Sequence, residues 1–145
     1  MMSKKIGIIV SVAIVVLILG LGIFLQRMDK AGLGGDANFV SRNGLHWHSD
    51  LSILVKGEHI VIPSEIGIGA QHNPMHTHED PGVIHMEFPG LVQKENLTLG
   101  SFFKSWNKDM RSFGTNMKMT VNGVENTEFE NYQMKDKDKI VLTFE

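Results

Sequence analysis

All seven histidines of this 145-residue chain fall between His46 and His85, and four of them form two His-x-His pairs. The pairs are His46-Trp47-His48 and His76-Thr77-His78, and a His-x-Glu unit, His85-Met86-Glu87, follows them. On a β-strand residues i and i+2 point to the same side, so each unit can present two side chains to one point. A metal ion requires that arrangement, because ligand nitrogens must converge to ~2.0–2.1 Å from one centre. The residues expected to bind metal are therefore His46, His48, His76, His78 and His85. Of these, His48, His76, His78 and His85 are expected as the primary set, with His46 as alternate ligand or orienting partner. His72 lies in the intervening loop, from which it can reach a site although no spacing fixes its direction. Glu79, Asp80 and Glu87 are each open to four roles: ligand, partner to an imidazole N–H, general base, or solvated surface acid. His59, beside Glu58, reads as a surface residue.

The donor types narrow the metal. The chain has no cysteine, which removes disulfides, thiolate zinc fingers, iron–sulfur clusters and cysteine nucleophiles together. Imidazole without thiolate suits Zn, Cu(II), Ni or Fe and argues against Ca and Mg, which take all-oxygen shells. Copper and zinc stay level as the expected ion. Met75 and Met86 weigh towards copper, because thioethers stabilise Cu(I). Met86, however, shares parity with Ile84 and Phe88, so filling a core gap explains it better. With 14 Lys+Arg against 16 Asp+Glu, the chain lacks the basic footprint of a nucleic-acid binder. Gly67-Ile-Gly69-Ala does not complete a dinucleotide fingerprint.

The elements that must position these residues follow from hydrophobic periodicity. Leu45, Trp47, Leu51, Ile53 and Val55 fall on one side of an alternating segment, with His46, His48, Asp50 and Ser52 on the other. Lys56-Gly57-Glu58 then turns the chain back as a hairpin. Val83 to Phe88 alternates again, with Ile84, Met86 and Phe88 facing one way and His85 and Glu87 the other. In both strands the histidines take the parity opposite to the core. A helix is expected from Thr98, which can cap it, with Leu97 and Phe102 as a hydrophobic staple. Leu99, Phe102, Phe103, Trp106 and Met110 form its apolar stripe, and Gly114 can end it. Asn122-Gly123 signals a second hairpin, and Ile140, Leu142 and Phe144 alternate in a last strand.

At the N-terminus, Ile6 to Leu25 runs 20 residues without a charge, enough to span ~30 Å of hydrocarbon. Lys4 and Lys5 precede it, so the positive-inside rule leaves the N-terminus in the cytoplasm. The expected organisation is a cytoplasmic tail at 1–5, a transmembrane anchor at 6–25, a Gly-containing linker at 26–44 and an extracytoplasmic metal-binding domain at 45–145. The protein is thus expected to be single-pass, with the membrane and a metal ion as partners and a protein partner left open.

Two hairpins flanking one helix, with a last strand introduced by Met134-Lys-Asp-Lys-Asp-Lys139, resemble the ubiquitin-like β-grasp arrangement. The expected fold class is α+β: a transmembrane helix followed by a small mixed or antiparallel sheet with one amphipathic helix, β-grasp-like. A small β-sandwich or barrel is the alternative. The motifs also resemble those of a group of small prokaryotic membrane-anchored, histidine-rich proteins carrying H-x-H, then H-T-H-[DE], then a G-x-I-H-x-E strand. Here these are His46 to His48, His76 to Glu79 and Gly82 to Glu87, with T-L-G-x-F-F at Thr98 to Phe103 and N-G-x-x-N-T-E-F-E at Asn122 to Glu130. That resemblance brings no assigned activity. The function expected first is capture, buffering or delivery of copper or zinc by a membrane-anchored protein. Alternatives are a metal-dependent enzyme with three histidines and a carboxylate base, and a protein-interaction module using the histidines as a pH-sensitive patch.

Overall fold

The structure, a computed structural model, describes residues 14–27 and 38–145. The first described segment is one α-helix, α1 (14–27). The expected fold class and location need correction at this point. Among the described residues no helix is long and apolar enough to cross a membrane. The described residues 14–27 account for about 21 Å at 1.5 Å per residue, against the ~30 Å of a hydrocarbon layer. Residues 6–13 of the expected anchor, and the expected tail at 1–5, lie outside the described residues. The single-pass topology, the cytoplasmic N-terminus, the extracytoplasmic placement and the membrane partner therefore have no spanning helix to rest on.

The second compact unit runs from Phe39 to Glu145. Its strands are β1 (Phe39–Ser41), β2 (Leu45–Val55), β3 (Glu58–Ile60), β4 (Met75–His76), β5 (Val83–Phe88) and β6 (Val92–Gln93). A helix α2 (Leu99–Ser105) follows, then β7 (Lys118–Val121), β8 (Val124–Glu125) and β9 (Lys139–Phe144). Seven strands form one mixed sheet in the order β4-β5-β2-β9-β7-β8, with β3 on β2, while β1 pairs β6 separately. β2 runs parallel to β9 and antiparallel to β5 and β3. The α+β expectation fits in part, since this unit is a mixed sheet accompanied by short helices, and the correction falls on the membrane-spanning helix. The barrel alternative fails because the strand order ends at β4 and β8 without closing, and the sandwich because the described residues pair only two short strands, β1 and β6, outside that sheet. β1 falls inside the segment expected as linker, where Phe39 pairs Gln93.

Local chemistry accounts for the hairpins. Lys56 (φ 52°) with Gly57 (φ 85°), and Asn122 (φ 53°) with Gly123 (φ 81°), put two successive residues in the left-handed region, as a two-residue type I′ turn requires. The helix is shorter than its apolar stripe. Thr98 caps it, accepting from the Ser101 N–H at 3.2 Å. Asn107, at φ 54°, then ends it. The Lys108 N–H donates to the Phe103 carbonyl and the Asn107 N–H to the Lys104 carbonyl, the Schellman pattern. Met110 to Phe113 continue as a separate 3-10 turn. Ile53, Ile84, Met86, Met119 and Leu142 of the sheet share one core with Leu97, Phe102 and Met134.

The turn from Lys135 to Asp138 clamps β2 where the first His-x-His pair lies. The Lys137 N–H donates to the His48 carbonyl, and the Asp50 N–H donates to the Asp138 carbonyl. Asp136 accepts from the His48 N–H at 3.0 Å, and the Ser49 hydroxyl donates to the Lys135 carbonyl at 2.9 Å. The turn is itself organised by the buried Asp138 carboxylate, which accepts from Tyr132 Oη at 2.7 Å, the Lys135 N–H at 2.8 Å and Asn122 Nδ2 at 2.9 Å. Burial first, and the Asp138 contact second, push the Tyr132 hydroxyl pKa up, so it remains a donor. Asp138→Ala strands these donors and is expected to lower stability by about 2–4 kcal/mol, against about 1–2 kcal/mol for Tyr132→Phe. Urea denaturation followed by tryptophan fluorescence measures both, and a loss within error of zero for Asp138→Ala would refute the clamp.

Candidate metal centre

Strand register gathers the histidines. His48 on β2 lies directly opposite His85 on β5, and His85 lies directly opposite His76 on β4. The next row pairs His46 with Glu87. The alternate row, Trp47 opposite Met86 and Met86 opposite Met75, faces the other way, and both methionines are buried in the core. One face of β4-β5-β2 thus carries imidazoles and a carboxylate while the opposite face packs. The thioethers of Met75 and Met86 sit on the packing side, away from the imidazole row.

Two groups of side chains on this face can hold a metal ion: His46, His48, His85 and Glu87, and separately His76, His78 and His85. Within each group the ligand atoms all lie within 4.8 Å of one another. His46 Nε2 is 3.2 Å from His48 Nε2, and His76 Nε2 is 3.1 Å from His78 Nε2. Nitrogens ~2.0–2.1 Å from a tetrahedral ion stand about 3.3 Å apart, so both pairs already have the spacing of neighbouring ligands. Glu87 Oε1 lies 3.2 Å from His46 Nε2 and 3.8 Å from His85 Nδ1.

In the inner group, His76, His78 and His85, it is His76 that is braced most closely. His76 is 3% exposed, and its Nδ1 lies 3.0 Å from the Asn73 carbonyl. A carbonyl can only accept, so Nδ1 carries the proton and Nε2 presents its lone pair towards His78. Thr77, between the two ligands, is fully buried; its hydroxyl donates to the Pro63 carbonyl at 2.9 Å and accepts from the Ile66 N–H at 3.0 Å. Gly67, at φ 73°, lets the loop pass so close that a Cβ there would stand 2.6 Å from the Met75 carbonyl. His76 and His85 both have pKa values below the usual imidazole range. Burial is the main cause for each; for His85 the neighbouring His48, His78 and His76 add to it. Neutral imidazole is the form that binds metal.

The structure joins His48 to His46 and Glu87, and His85 to both groups, whereas the sequence grouped His48 with His76, His78 and His85. His72 is exposed, its ring 6.2 Å from that of His76, and it belongs to neither group. Glu79 and Asp80 are exposed and likewise outside both. His59 lies on β3 opposite Leu54. Sequence reasoning did not single out Asp136, which holds His48, or Thr77, which braces His76 and His78. For Asn73 the available signal was the Asn-Pro turn; the role of its carbonyl depends on the folded loop. No family model, curated protein or solved structure matches this chain.

The lowered pKa values set the pH response of the metal-free protein. Because His76 and His85 take up protons less readily when folded, the unfolded chain binds more protons as pH falls below ~6.5, and stability declines in that direction. Urea midpoints of chelator-treated protein are expected to fall between about pH 7.5 and about pH 5.5, with a shallower slope in His76→Gln. A midpoint that rises on acidification would contradict the assignment.

Proposed function

We propose that this domain binds a transition-metal cation, zinc or copper(II), through its histidine cluster, and serves to capture the ion, buffer it or hand it on. The observation that carries this reading is the contact between His76 and His78. Two Nε2 atoms stand 3.1 Å apart, and the His76 tautomer is fixed so that its lone pair faces the gap. His76, braced in this way, loses little freedom when an ion arrives, which favours affinity.

The donor set suits zinc or copper(II), as it also suits nickel or iron, and disfavours calcium and magnesium. It consists of imidazole nitrogens and one carboxylate, with no thiolate in the chain and the methionines next to the site turned into the core. The inner group supplies three nitrogens, so a tetrahedral ion there keeps one position for an exchangeable ligand. His78 is exposed, which gives an ion a route in and out. Uptake and transfer both need such an opening.

Full-length protein without a polyhistidine tag, freed of metal by chelator, is expected to bind Zn(II) and Cu(II) with sub-micromolar affinity in calorimetric titration. His76→Ala/His78→Ala is expected to weaken binding at the inner group about 100-fold or more. His59→Ala, remote from the cluster, is expected to leave it unchanged. Undiminished binding in the double variant would remove the assignment.

A further inference from the structure

We propose that the histidine face holds two cations, bridged by the imidazole of His85, which binds one through each ring nitrogen. This inference rests on the metal-binding reading above and extends it from a single ion to a pair. Its starting point is the division of the ligand atoms into two sets with His85 in common. Ligand atoms ~2.0–2.1 Å from one ion are never more than about 4.2 Å apart, and a tetrahedral ion takes four of them. The six side chains His46, His48, His76, His78, His85 and Glu87 exceed that number, and each set carries its own close nitrogen pair, at 3.2 Å and 3.1 Å.

His85 sits where a bridge must sit. β5 lies between β2 and β4, so His48 flanks His85 from one side and His76 from the other. The His48 and His78 rings stand edge-on to it, with centroids at 4.6 Å and 4.7 Å, and the His76 ring stacks at 5.4 Å. Both nitrogens of His85 are buried, and neither has a hydrogen-bond partner among the described residues. An imidazole with one orphaned nitrogen is a common imperfection. Two orphaned nitrogens on a ring that has ligand sets on both flanks call for a partner at each.

Glu87 Oε1, a member of the outer set, lies 3.8 Å from His85 Nδ1, which assigns Nδ1 to the outer ion and Nε2 to the inner one. His46, His48, Glu87 and Nδ1 then close a four-ligand shell, while His76, His78 and Nε2 leave one position for water. Bridging requires His85 to lose its N–H proton, which passes to solvent as the second ion binds. The other four imidazoles keep theirs. Ions ~2.0–2.1 Å from the two ring nitrogens stand about 6 Å apart, and the imidazolate between them and the Glu87 carboxylate offset their repulsion.

The test is a Cu(II) titration of metal-free, untagged, full-length protein, followed by calorimetry and electron paramagnetic resonance. Two equivalents are expected to bind. The integrated resonance should rise through the first and fall as the second enters, because an imidazolate bridge couples the two copper spins antiferromagnetically. One copper beside one zinc should keep full intensity. His46→Ala/His48→Ala, on the accessible side of the face, should bind a single equivalent without any loss of signal, and His85→Ala should abolish the coupling. Binding of one equivalent by the unaltered protein, or of two with summed intensities, overturns the bridged pair and leaves the single-ion reading standing. Absence of binding overturns both.

Discussion

Around His48 the strand β2 is held along both edges, and the histidine face depends on that double grip. On one edge β5 pairs with Leu45 to Asp50; on the other the Lys135 to Asp138 turn engages His48 and Asp50, and β9 continues the pairing to Val55. A strand fixed along one edge can still slip by a residue, and in a sheet such a slip exchanges the two faces. Here a slip would have to break antiparallel pairs, parallel pairs and a turn organised around a buried carboxylate together. The row His76, His85, His48 is therefore a consequence of ladder register, with each imidazole placed by main-chain bonds before its side chain meets anything.

Burial adds a second layer to that placement. Burial lowers the pKa of His76 and His85, and the His76 tautomer is chosen by a main-chain carbonyl, so the loop from Pro63 to Thr77 acts as much on the protonation of His76 as on the shape of the site. The outer side chains are freer: His46 and Glu87 are exposed and rest against each other. One face thus has a rigid end and an adaptable end, joined at His85.

Alternation made part of this legible in the sequence. β2 and β5 carry a strict period of two, so the side of the sheet on which His46, His48, His85 and Glu87 lie could be read before any contact was known. Cross-strand register could not be read in that way. That His48 stands opposite His85 depends on a loop of more than twenty residues between β3 and β5, whose path is set by Thr77, Gly67 and the Asn73 turn acting together. The stripe through Trp106 and Met110 suggested one continuous helix, but Asn107 adopts the left-handed conformation and satisfies the last carbonyls, a local preference that periodicity does not report. The uncharged run from Ile6 to Leu25 pointed to a membrane span. Hydropathy measures composition, whereas spanning needs helix length as well, and among the described residues no helix is long and apolar enough to cross a membrane.

The strict parity of β5 has a consequence for how such a protein can change. Ile84 and Met86 answer to packing, and His85 and Glu87 belong to the candidate ligand face, with no residue among the four serving both. Mutational drift on one parity leaves the other's constraint untouched. The chemistry of the histidine face and the integrity of the fold are therefore separately heritable traits written on a single six-residue strand.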